Sequence, residues 1–105
     1  MAARILDFHP EATQEVASAI NWYMQQSLDA ADGFIAELDK RLSAVLADPH
    51  RFATYLHRTR YALFDGYPYL VAYKVRGPVV RSYAVAHTSR RPGYWAKRRF
   101  DTEAP

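Results

Sequence analysis

Two hydrophobic periods divide the chain. Over residues 10–49 apolar side chains return every three or four positions, and from about residue 60 they alternate with polar ones or form short β-rich blocks. The stretch "RILDFHP" precedes both and has strand character, with Ile5, Leu6 and Phe8 ahead of a proline that stops pairing. Pro10 and Glu11 suit a first helical turn, where a missing N–H is harmless and a carboxylate meets the positive end of the dipole. Ala12, Val16, Ala19, Ile20 and Tyr23 then make one apolar stripe, with Trp22 on its flank and expected to be partly in the core. The helix fades around "QQSLDAADG", where Ser27 or Asp29 can cap a second one. In that helix Phe34, Ile35, Leu38, Leu42, Val45 and Leu46 keep the helical period until Pro49 closes it; Gly33 near its start weakens it slightly. Two amphipathic helices joined by a few residues predict an antiparallel hairpin.

Beyond residue 50, "RYALFDG", "YLVAYKVRG" and "VVRSYAVAHT" are rich in β-branched and aromatic residues and are punctuated by Asp65-Gly66 and Gly77-Pro78. They predict three consecutive antiparallel strands. Strict alternation in the last puts Arg81, Tyr83, Val85 and His87 on one face, and Val80, Ser82, Ala84 and Ala86 on the other, the smaller face suited to helix packing. "PGYWAKRRF" reads as a short final helix or a turn. The whole is a single α+β domain over residues 1–105, in the order β-α-α-β-β-β. Its helix hairpin packs on one face of a small, mainly antiparallel sheet, leaving the other face free and rich in arginines and aromatics.

Composition narrows the function classes. The chain has 105 residues and no cysteine, so disulfides, thiol nucleophiles and thiolate metal sites are excluded. No apolar run approaches the roughly 20 residues that span a bilayer, and the start lacks a secretory pattern, so the cytoplasm is the expected location. The net charge of +3 conceals an asymmetry. Residues 1–50 hold three Lys/Arg against eight acids, and residues 51–105 hold eleven against three. That segregation predicts a basic face in the second half and an anionic partner for it.

Candidate chemistry concentrates in the same half. His9, His50, His57 and His87 show no i, i+4 pairing, and no glycine-rich phosphate loop is present, so neither metal nor cofactor is expected. Glu11, Glu15, Glu37 and Asp39 read as solvated groups on exposed helix faces. What remains is Arg58, Arg60, Arg81 and His87, followed by Arg90, Arg91, Tyr94, Trp95, Lys97, Arg98 and Arg99. Metal-free RNA cleavage needs a base for the 2′-hydroxyl, cations for the phosphorus-centred charge and an acid for the leaving oxygen. His87 suits the proton transfers, Arg81, Arg90 or Arg91 the phosphate, and Tyr94 the positioning; for that role His87, Arg81 and Arg60 or Arg90 must converge. Arg58, Arg60, Arg90, Arg91, Trp95, Lys97 and Arg98 equally suit a non-catalytic patch for an acidic protein or a nucleic-acid backbone. A plainer reading stands beside both: His87 as a hydrogen-bonded strand-end histidine, Tyr94 and Trp95 as a folded-back lid, and the cations as a solvated tail.

Three stretches, "EATQEVASAINWY", "LFDGYPYLVAYKV" and "VRSYAVAHTSRRPGYW", resemble the RelE/ParE superfamily of bacterial toxins, often called plasmid-stabilisation proteins, over residues 4–99. The resemblance implies the same β-α-α-β-β-β fold, no cofactor, and the toxin of a type II toxin–antitoxin pair, neutralised by a cognate antitoxin whose flexible segment wraps it. It leaves two targets open. RelE-like members cut messenger RNA on the ribosome with basic residues on the sheet and a tyrosine or histidine near the C-terminus, and Tyr94 falls about where that tyrosine would lie. ParE-like members poison DNA gyrase instead. "YPYLVAY" is closer to the ParE-like branch, and the lysine cluster of the RelE-like strands is replaced by His57, Arg58 and Arg60, with Lys74 late in the next strand. The expectation is a gyrase inhibitor, with a ribosome-dependent endoribonuclease or an inactive antitoxin binder as alternatives.

Overall fold

The computed structural model describes residues 4–100, so Asp101 and Glu103 of the charge balance lie outside the described residues. Strand β1 (Ile5–Phe8) leads into helix α1 (Pro10–Gln26) and helix α2 (Leu28–Ala47). A two-residue strand β2 (Ala53–Thr54), not foreseen in the sequence, precedes β3 (Arg60–Leu63), β4 (Tyr69–Arg76) and β5 (Val79–His87). The sheet order is β1-β5-β4-β3-β2, with β1 parallel to β5 and every other pair antiparallel.

The caps explain the helix ends. His9 accepts the Glu11 N–H on its Nδ1 at 3.1 Å ahead of Pro10, an unusual imidazole cap for α1. Ser27 accepts the Ala30 N–H at 2.9 Å and starts α2 immediately after α1 ends. Gly33, a weak helix former, is there for space: a Cβ would collide with the Tyr67 hydroxyl, which donates to the Ala30 carbonyl at 2.9 Å.

The helix hairpin covers one sheet face, as the pattern predicts. Phe34, Leu38 and Val45 pack on Ala62, Phe64, Val71, Tyr73, Val80 and Val85, and the Tyr73 hydroxyl donates to Pro49 O at 2.6 Å. Burial pushes the Tyr73 pKa up to about 12. Trp22 and Ile35 depart from their expected places: Trp22 is 56% exposed and Ile35 39%, and neither belongs to the core between hairpin and sheet.

The opposite sheet face is not free. Residues after β5 fold back over it, and Trp95 and Phe100 pack with Leu70, Ala72, Tyr83, Ala84 and Ala86 into a second core. This covering segment is a series of turns over Pro92–Lys97, since Pro92 and the left-handed Gly93 (φ 82°) break a helix before it can propagate. A β-bulge also overturns the simple alternation of β5. Ala72 pairs Ala84 and Tyr73 pairs Ser82, which leaves Tyr83 unmatched. Tyr83, Ala84 and Ala86 therefore share the outer face with Arg81, whereas Val80 and Val85 face the helices.

Candidate functional site

The most concentrated polar chemistry lies where α1 meets the segment after β5. Glu15 points from the apolar flank of α1 and is largely buried. Its Oε1 accepts the Val85 N–H at 3.1 Å and an Arg98 N–H at 2.9 Å, and its Oε2 accepts a second Arg98 N–H at 3.0 Å. The Tyr94 hydroxyl donates to the same Oε2. Arg90 approaches it at 3.7 Å while its guanidinium lies over the Tyr94 ring, 3.8 Å from the centroid. Arg98 reaches the Tyr83 carbonyl at 3.0 Å and Glu11 at 3.7 Å. One carboxylate thus holds a helix, a strand and the C-terminal segment together through charge-assisted bonds.

Environment fixes what these groups can do. Burial, then the Glu15 hydrogen bond and charge, raise the Tyr94 pKa strongly. The phenol stays neutral and its proton is committed to Glu15. Burial opposes the Arg98 charge, but the hydrogen bonds and charge of Glu15 more than offset it, so that pKa rises as well. Both Tyr94 and Arg98 are engaged within the fold.

A second anchor lies beside the first. His9 donates from Nε2 to the Arg99 carbonyl at 2.9 Å, and its Nδ1 caps α1, so the two bonds fix the tautomer. Its ring meets Phe100 edge-on at 5.2 Å. Glu15 and His9 were both missed in the sequence as anchors, one read as a solvated carboxylate and the other as an unremarkable histidine.

The other sequence candidates are dispersed. His87 lies at the end of β5 on the helix-facing side, edge-on to Tyr69, with its Nδ1 accepting the Ser89 N–H at 3.0 Å. Arg81 is six residues away, roughly 20 Å along the strand at about 3.3 Å per residue, on the other face. It is buried, 3.9 Å from Asp7 and over the Phe100 ring. Arg60 donates to the carbonyls of Phe52 and His50 at 2.6 and 3.2 Å, near β2. Hence His87, Arg81 and Arg60 do not converge, and Arg90 is turned toward Glu15. Trp95, proposed as a contact residue, is 1% exposed and belongs to the second core.

Two further places among the described residues carry exposed candidate cations. Arg58 follows His57 in a strained turn, both with left-handed φ values (62° and 58°). This turn packs on Gly93, where a Cβ would lie 2.9 Å from His57 Nε2, so the turn that carries Arg58 lies against the segment that follows Arg91. The second place is an open cleft of about 710 Å³ on the outer sheet face, lined by Lys74, Arg76, Tyr83, Lys97, Arg98 and Arg99. Among the described residues no group of three or more His, Cys, Asp or Glu side chains can hold a metal ion. No described helix is long and apolar enough to cross a membrane.

A solved chain titled "Chromosomal ParDE TA system from P. aeruginosa" has the same fold, with a TM-score of 0.70 over 81% of this chain and 96% of that one. The two are 10% identical, so the likeness speaks for the fold alone. No curated protein matches the sequence significantly. Residues 6–92 match the family described as "ParE toxin of type II toxin-antitoxin system, parDE", a span from β1 through all five strands. The chain therefore belongs to the ParE toxin family, within the RelE/ParE superfamily, and is a type II toxin.

Proposed function

We propose that this toxin acts by inhibiting DNA gyrase, is neutralised by a cognate antitoxin, and works in the cytoplasm. The observation that carries the reading is the engagement of Tyr94, Arg90 and Arg98 with Glu15. A metal-free ribonuclease acting through those groups needs a proton acceptor and cations aimed at an incoming phosphate. Here the phenol donates inward and the Arg98 fork is closed on a carboxylate. Membership of the ParE family supports the gyrase alternative. Arg58 and Arg91, both exposed, and the exposed part of Arg90 are the proposed target contacts.

The experiment is a supercoiling assay with purified toxin, run beside an mRNA cleavage assay on translating ribosomes. The expected result is loss of supercoiling at micromolar toxin, restored by antitoxin, with messenger left intact. Unchanged supercoiling would exclude the gyrase reading, and cut messenger would restore the nuclease.

A further inference from the structure

We propose that Ser89 is a phosphoryl-acceptor site, primed by His87, and that a phosphate placed there silences the toxin. The two residues belong to a turn at the end of β5, closed by the Arg90 N–H on the His87 carbonyl at 3.0 Å. The Ser89 N–H donates to His87 Nδ1 at 3.0 Å, so that ring nitrogen is the unprotonated one. The Ser89 Oγ lies 2.7 Å from the same nitrogen, and its hydroxyl therefore aims its proton at a base. Tyr69 braces the imidazole from β4, edge-on at 5.1 Å. A hydroxyl in reach of a base that a third group holds in place is the arrangement of an activated nucleophile. Thr88, Ser89, Arg90 and Arg91 are all exposed, so the hydroxyl can be approached. The other exposed serines differ: Ser27 caps α2, and among the described residues Ser18 and Ser43 have no hydrogen bond to an imidazole.

The surroundings select a phosphoryl group over an acyl group. Arg90 and Arg91 are the next two residues. Arg90 meets Glu15 only at 3.7 Å, beyond a hydrogen bond, and among the described residues Arg91 forms no ion pair. Both can turn to a phosphate, which carries a charge of about −2; a neutral acyl group offers them nothing. The chain has no glycine-rich phosphate loop, so a separate enzyme must present the donor, a nucleoside triphosphate. The Oγ–phosphorus bond forms as the bridging bond from the γ-phosphorus to the β-phosphate oxygen breaks. Nucleoside diphosphate leaves, and the serine proton passes to His87 Nδ1 and then to water. The new dianion occupies Arg90 and Arg91, two of the proposed target contacts, and cancels the charge that meets the target.

The silencing rests on the target reading and the acceptor chemistry does not, so the experiment has two arms. In the first, the whole chain is treated with diisopropyl fluorophosphate, whose P–F bond breaks as the Oγ–phosphorus bond forms, and labelled serines are read by peptide mass spectrometry. Ser89 is expected to label at least about tenfold faster than Ser18 and Ser43. His87→Asn, whose side-chain oxygen can accept the same Ser89 N–H and keep the turn, should bring Ser89 down to their rate. Labelling of Ser89 no faster than Ser18, or undiminished in His87→Asn, would overturn the acceptor. In the second arm, Ser89→Ala should inhibit supercoiling within about twofold of the wild type, whereas protein synthesised with phosphoserine at position 89 should be at least about tenfold weaker. Equal potency of the phosphoserine protein would overturn the silencing. A wild type without effect on supercoiling would count against the gyrase reading alone; the same order of potency is then read as growth arrest on induction, and equal arrest by the phosphoserine protein would again overturn the proposal.

Discussion

Glu37 and Glu15 occupy equivalent positions in this molecule and do different work. Each is a largely buried carboxylate on a helix, each accepts a backbone N–H from the sheet region, and each is closed by an arginine. Glu37 takes the Asp65 N–H at 2.9 Å and Arg41 at 2.8 Å; Glu15 takes the Val85 N–H at 3.1 Å and Arg98 at 2.9 Å. Arg41 stands one turn along the same helix and also reaches Asp65 at 3.2 Å, so the Glu37 cluster pins α2 to the start of the β3–β4 turn. Arg98 is 83 residues from Glu15, so the second cluster closes the whole chain. The same chemistry stiffens a local junction in one place and holds a terminal segment over a second core in the other.

The largest effect is expected at Glu15. Glu15→Ala leaves the buried Arg98 with the Tyr83 carbonyl and, as its one remaining carboxylate among the described residues, Glu11 at 3.7 Å, and should lower stability by about 3–5 kcal/mol in urea unfolding. Release of the C-terminal segment should also shift Trp95 emission to the red. Glu37→Ala should cost about 2 kcal/mol, because Arg41 keeps Asp65 and no segment is released. Losses in the reverse order would mean that Glu37, and not Glu15, is the stronger anchor.

The clusters should also titrate at opposite ends of the pH scale. Burial raises the Glu37 carboxyl pKa, but the Asp65 N–H and Arg41 outweigh it and hold the value below 4.5. Its contribution is therefore present above the unfolded carboxylate value and lost as pH falls through the folded one, and Glu37→Gln should flatten the acid limb of a stability–pH profile. Tyr94 is raised above 10, so its contribution is present below 10 and lost as pH rises beyond that; Tyr94→Phe should flatten the alkaline limb. The smallest effect belongs to Arg90, half exposed over the Tyr94 ring: Arg90→Ala should cost less than about 1 kcal/mol in the same urea titration.

Much of the fold was legible because local rules and tertiary packing agree. The stripes of α1 and α2, the Pro10 start, a cap at Ser27 or Asp29 (the structure uses Ser27) and the three consecutive strands β3–β5 follow from periodicity and punctuation. Strict alternation failed in β5 because one extra residue, Tyr83, changes the register, and nothing local marks a bulge there. The covered outer face was half visible in the apolar Trp95 and Phe100, obscured by the cations between them. Glu37 carried a signal in its i, i+4 arginine. Glu15 carried a fainter one: it lies three residues after Ala12 and four before Ala19, inside the apolar stripe, where a solvated carboxylate does not belong. Its partners were out of reach of any local pattern, being 79 and 83 residues away.

The central claim is that the cationic, aromatic C-terminal segment of this toxin is a structural clamp and not a catalytic centre. Paired supercoiling and ribosomal mRNA-cleavage assays on the wild type and on Tyr94→Phe test it most directly. The phenylalanine keeps the ring under Arg90 and removes only the hydroxyl that binds Glu15. Both proteins should inhibit gyrase, equally within about threefold once each is folded, and both should leave messenger intact. Messenger cut by the wild type and spared by Tyr94→Phe would contradict it.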